Sequence, residues 1–249
     1  MDLELNQILQ GTFSLIFVVV AIIIAILIIR RYIQYKSPEH LYVGLAWIGL
    51  AGPWFADAVV LPAILIGNLI NPAVSAANYV PITLVVSLIT TYYAPLAIMF
   101  WILAFTKLLR LENRKKVVIL FGAIFIIFEI LMIIFPFIDF NYYIGTYNGP
   151  FDYDWGLITT IFYLSAIFTA LVSGLLFAYR AYKAENPESN LRGKFLIISF
   201  IAFAVGSLIP YVWTDISGLV VSRIILVFVV IMFYFGLNMP NFVKSLILK

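Results

Sequence analysis

Long apolar runs separated by short polar and charged clusters occupy most of the chain from Thr12 onward. A helix rises about 1.5 Å per residue, so about 20 apolar residues cross a hydrocarbon core of about 30 Å. Seven stretches meet that length: Thr12–Ile29, Leu41–Leu61, Ile82–Thr106, Val117–Pro136, Gly156–Tyr179, Phe195–Val212 and Ser217–Leu237. They predict an all-α fold: a polytopic membrane protein, one seven-transmembrane-helix bundle over residues 1–249. Residues Pro62–Pro81, with Asn68, Asn71 and Asn78, read as an apolar outer connection, either an interfacial helix or a lid. Lys183–Lys194 reads as a polar loop marked by Asn186-Pro187. The segment after Pro240 reads as an amphipathic tail on the inner leaflet, with Lys244 and Lys249 near lipid phosphates.

Composition agrees with lipid as the main solvent. The chain is 64% hydrophobic and 11% charged, with mean hydropathy +1.10. A soluble domain carries about 25% charged residues. The net charge of +3 offers no basic stripe for a nucleic acid, so none is expected as a partner. Absence of cysteine removes disulfides, thiolate catalysis and Cys-ligated metals. A single histidine, His40, rules out a bis-His haem or His-rich metal cage within the chain. No cofactor is expected. The start, Met1-Asp2-Leu3-Glu4, lacks the basic region of a signal peptide, so the first apolar run reads as a retained helix.

The placement of charge gives the orientation. Arg30, Arg31 and Lys36 follow span 1, and Lys107, Arg110, Arg114, Lys115 and Lys116 separate spans 3 and 4. Arg180, Lys183, Arg192 and Lys194 separate spans 5 and 6, and Lys244 and Lys249 follow span 7. These are 14 of the 15 Lys and Arg, all on one side. Asp2, Glu4, Asp139, Asp152, Asp154 and Asp215 fall on the other. The positive-inside rule makes the basic side cytoplasmic, which predicts an outside N-terminus and a cytoplasmic C-terminus in the cell membrane. Tyr79, Tyr142, Tyr143, Tyr147, Tyr153, Trp155 and Trp213 read as an aromatic belt at the outer interface. His40 reads as an interfacial residue, and Asp154 as the N-cap of span 5.

Spans 1–3 and 5–7 share collinear fragments. Pro53-Trp54-Phe55-Ala56-Asp57 in span 2 parallels Pro210-Tyr211-Val212-Trp213-Thr214-Asp215 after span 6. Leu84-Val85-Val86-Ser87 parallels Leu219-Val220-Val221-Ser222. A 3+1+3 parallel repeat accounts for this, and in transporters such repeats place the site at interrupted helices. The alternative is that Pro53 and Pro210 only kink helices whose freed carbonyls find other partners.

Three charged residues lie inside spans: Asp57, Glu129 and Arg223. Each costs at least ~2.5 kcal/mol at the bilayer centre, so such residues face the protein interior. Counting from the helix ends puts them about 6–12 Å below the outer boundary. The trio therefore predicts a carboxylate–guanidinium pair with one acid left over, either as a plain helix–helix ion pair, as a ligand pocket, or as an ion or proton path. Trp54, Thr91, Tyr92 and Tyr163 are candidate pocket-lining residues; the hydroxyl bearers among them also suit ordinary interhelical hydrogen bonds.

Span 7 has no lysine for a retinal Schiff base, and span 3 lacks Asp-Arg-Tyr at its inner end. The pattern resembles a family of uncharacterised archaeal seven-helix integral membrane proteins. The residues carrying the resemblance are Gly44-Leu45-Ala46-Trp47-Ile48-Gly49-Leu50-Ala51 with Pro53-Trp54, Phe128-Glu129-Ile130, Leu191-Arg192-Gly193-Lys194-Phe195-Leu196 and Leu237-Asn238-Met239-Pro240. The resemblance implies an archaeal setting and no activity. Three classes remain: a sensor or receptor with a small-molecule site in the outer half, a small-solute or ion/proton-coupled transporter, and a structural or lipid-interacting protein. Membrane lipids, a small-molecule ligand and a cytoplasmic partner docked on the basic loops are the expected partners. An enzyme is not expected, because no metal site or Ser–base pair is visible.

Overall fold

The computed structural model describes residues 3–213 and 215–247. Asp2, Thr214 and Lys249, used in the charge and repeat readings, lie outside the described residues. Seven helical segments are long and apolar enough to cross a membrane. The chain is a multi-pass, all-α membrane protein. The first span is α1 (Leu5–Tyr35). The second is α2 (Pro38–Leu50), a 3-10 turn (Gly52–Trp54) and α3 (Phe55–Ile70). The third is α4 (Val80–Leu108), entered through a 3-10 turn at Ala76–Tyr79. After α5 (Arg114–Ile134) come the short α6 (Pro136–Tyr143) and a hairpin of β1 (Gly145–Tyr147) with β2 (Tyr153–Trp155). The chain ends in α7 (Leu157–Tyr182), α8 (Pro187–Val212), α9 (Ile216–Asn238) and α10 (Asn241–Ile247).

Several boundaries differ from the sequence reading. Of residues 62–81, read as an outer connection, 62–70 continue span 2 in α3, with Pro62 inside it, and 71–79 form the connection to α4. The expected loop at Lys183–Lys194 is mostly the first two turns of α8. Asn186 caps it by accepting from the amides of Glu188 and Ser189, and Pro187 occupies the first helical position, where its missing N–H costs nothing. Asp154 is not a cap; it sits in β2, and Gly156 precedes α7. Lys244 pairs with Glu188, and Val243 is buried with Leu191 and Met239, so α10 docks on the bundle.

The packing order is a closed ring: α1, the α2–α3 span, α4, α7, α8, α9 and back to α1. Helix α5 lies outside it, mainly against α4, and Met132 is its only buried residue among those described. At the ring's centre Trp47, Trp101, Phe200, Phe203 and Phe233 interlock, with Trp47 stacked on Phe233 at 4.2 Å. Trp101 Nε1 donates to Ser173 Oγ at 2.7 Å, so this layer joins α4 to α7.

The charged ends sort as the chain order requires. At one end Arg31 donates to the Asn238 carbonyl, Arg180 to that of Leu109 and Arg192 to that of Leu237, while Lys107 pairs with Glu39 at 2.9 Å. These bases meet helix C-termini, where the dipole favours a cation. The other end holds Glu4, Asp139, Asp152, Asp154 and Asp215, and no Lys or Arg among the described residues.

Candidate functional site

Two prolines shape the acidic half of the ring. Pro53 has no N–H to continue α2, and the chain leaves α-geometry from Gly52 to Trp54. The Pro53 carbonyl accepts from the Tyr153 hydroxyl at 3.4 Å. In α8, Pro210 cannot bond the carbonyl of Gly206, four residues back. Ser222 of α9 donates its hydroxyl to that carbonyl at 2.7 Å. Held this way, Ser222 Oγ accepts from Arg223 Nη1 at 3.2 Å. The carbonyl left free by Pro210 therefore helps set the position of the guanidinium.

Asp57, in the first turn of α3, is fully buried. Its Oδ2 accepts from Gln10 Nε2 at 3.1 Å and Ser14 Oγ at 3.2 Å, and its Oδ1 from the Tyr153 hydroxyl at 3.3 Å. Arg223 Nη2 lies 3.7 Å from Oδ2, an ion pair without a direct hydrogen bond. A second link runs through a hydroxyl: Arg223 Nε donates to Ser14 Oγ at 3.1 Å, and Ser14 donates to Asp57. The guanidinium also stands 5.7 Å from the centre of the Trp54 ring. Burial pushes the Tyr153 phenol well above its ordinary range, and the adjacent Asp57 carboxylate adds to this. The phenol stays a donor.

In front of this pair is a cavity of about 440 Å³. Gln10, Trp54, Tyr153, Trp155, Tyr211 and Arg223 line it, but Asp57 does not. The cavity meets the base while the acid stands behind the wall. A narrow apolar slot of about 40 Å³, lined by Ala94, Ile98, Tyr163, Ala166 and Phe203, shares Pro53, Trp54, Trp155, Ser207 and Tyr211 with it. Ser207 Oγ is buried there with no hydrogen-bond partner. An orphaned hydroxyl in a cavity wall is a ready contact for an occupant's polar atom.

The structure brings Asp57 and Arg223 together and leaves Glu129 out. Glu129 is half-buried on α5, outside the ring, and forms no ion pair or side-chain hydrogen bond among the described residues. Trp54 lines both spaces and Tyr163 lines the slot. Thr91 shares a hydrogen bond with the Tyr163 hydroxyl at 3.1 Å and supports the wall from behind. Tyr92 turns to α5, donating to the Met132 carbonyl at 2.8 Å, and does not line the cavity. Tyr153 and Trp155, assigned to an interfacial belt, line the cavity instead, carried there by the hairpin. Gln10, Ser14, Ser207 and Ser222 did not stand out in the sequence. Gln10 and Ser14 had a signal: two polar residues four apart share one face of an apolar helix. No family model, curated protein or solved structure matches the chain.

Proposed function

We propose that the protein is a receptor-like protein of the cell membrane that takes a small organic anion into the acidic half of its helix ring from outside, with the N-terminus outside and the C-terminus in the cytoplasm. The orientation rests on the positive-inside rule. The ligand reading rests on one observation: Arg223 fronts a cavity of about 440 Å³ while its partner Asp57 is sealed behind it. Asp57 lowers the cost of the buried guanidinium and aims it, leaving donors for a carboxylate or similar head group. The adjoining slot and its aromatic rim suit a short apolar tail.

The test is thermal stability of purified protein titrated with straight-chain carboxylates from acetate to octanoate. Wild type is expected to gain stability with chain length up to the limit of the slot. Arg223→Gln is expected to lose at least tenfold in apparent affinity. Equal affinity in wild type and Arg223→Gln would sink the proposal.

A transporter is the second reading. It is favoured by a second cavity at the basic end, separated from the slot by the central aromatic layer. Along α2, Val43 lines the basic-end cavity and Gly49 the slot, with Trp47 between. Six residues are about 9 Å of helix. Two sets of three helices flanking α5, each with a proline near the site, fit the 3+1+3 repeat and this reading. Uptake of labelled carboxylate into proteoliposomes separates the two: transport predicts saturable uptake lost in Arg223→Gln, and a receptor predicts binding without uptake.

A further inference from the structure

The basic-end cavity is independent of the Arg223 site. It measures about 460 Å³ and is lined from all six ring spans, so it is the axial mouth of the ring. Its charged and polar lining is Ser37, Glu39, His40, Arg180, Ser189 and Arg192. The acid in its wall, Glu39, and the nearby Glu188 are both paired. Glu39 pairs with Lys107 and accepts from Ser37, and Glu188 pairs with both Arg192 and Lys244. Arg180 has no carboxylate partner among the described residues, and Arg192 shares Glu188 with Lys244.

The donors there are under-used. Arg180 spends one N–H on the Leu109 carbonyl. Arg192 uses Nη1 on the Leu237 carbonyl and Nη2 on Glu188, while its buried Nε has no partner. His40 Nδ1 is likewise buried without a partner. A guanidinium offers five N–H groups in a planar fork that matches phosphate oxygens. Helix C-termini alone would explain one contact per arginine, not an open cavity between them.

We propose that this mouth binds a phosphate group, held by Arg180 and Arg192 with His40 beside them. The group can belong to free phosphate or to an anionic lipid head entering between helix ends.

Phosphorus-31 NMR line broadening of inorganic phosphate, with the protein in phosphatidylcholine nanodiscs, tests this directly. Saturable broadening is expected, weakened at least tenfold in Arg180→Gln/Arg192→Gln and unchanged in Arg223→Gln. Because the arginines also cap helices, Ala184→Trp provides a second variant that fills the cavity mouth and keeps every cap; it is expected to block binding equally. Competition by added phosphatidylglycerol assigns the site to a lipid head, and its absence assigns it to free phosphate. No saturable broadening in wild type, or equal broadening in wild type and Ala184→Trp, overturns the proposal.

Discussion

Replacing Asp57 by Asn is the most informative single change. It keeps the shape of the side chain but removes the charge facing Arg223 and turns an acceptor oxygen into a donor among donors. Arg223 is only 6% exposed and keeps two hydroxyl partners, Ser14 and Ser222. Breaking a buried pair from one side costs about 3–5 kcal/mol. The cavity in front of Arg223 lets water reach the guanidinium, which places the loss near the lower end, about 3 kcal/mol. For a chain of this size 1 kcal/mol moves Tm by about 2–4 °C, so a fall of about 6–12 °C is expected. The double variant Asp57→Asn/Arg223→Met removes the stranded charge and should recover at least ~1.5 kcal/mol relative to additivity. The measurement is thermal unfolding in one detergent, followed by tryptophan fluorescence, for wild type and the three variants. A fall of less than 2 °C in Asp57→Asn, or additive single and double variants, would refute the idea that Asp57 exists to hold Arg223.

Tyr153→Phe removes the hydroxyl whose one proton is shared by the Asp57 carboxylate and the Pro53 carbonyl, and should cost about 1.5–3 kcal/mol near neutral pH, read from chemical denaturation. The raised phenol pKa also gives a pH signature. Its stabilisation is complete below the unfolded value of about 10 and is lost as pH rises toward the folded value, so the gap between wild type and Tyr153→Phe should narrow above pH ~10. Gly49→Ala puts a Cβ into Ala97 across the α2–α4 contact and should destabilise by about 1–3 kcal/mol in thermal unfolding. Glu129→Gln should leave carboxylate affinity within twofold in the thermal-shift titration, since Glu129 stands apart from Arg223.

The number of spans was legible because lipid demands about 20 apolar residues per crossing whatever the bundle does inside. Asp57 and Arg223 were legible because charge in the membrane is costly enough to require a reason. The same demand hid the rest. Lipid-facing and core-facing positions are both apolar, so the helical period does not reveal which stripe of α5 or α4 turns inward. Glu129 and Tyr92 therefore looked equivalent to Arg223 and Tyr163 in the sequence, although α5 lies outside the ring. The hairpin was hidden for another reason. Its strands have three residues each and carry no alternation long enough to read, yet they bring Tyr153 to Asp57.

The outboard position of α5 has a consequence for how freely the sequence can change. Helices α4 and α7 are ring neighbours that run in the same direction, so the chain must cross the bilayer once between them. Helix α5 makes that crossing and meets the ring along one stripe, where Phe125 and Phe128 pack on Phe162 and the Met132 carbonyl accepts from Tyr92. An apolar helix of equal length that kept this stripe could serve as the same return cable. Of the seven spans, α5 is the one whose sequence can drift furthest, or be exchanged by an engineer, while the other six keep their shape.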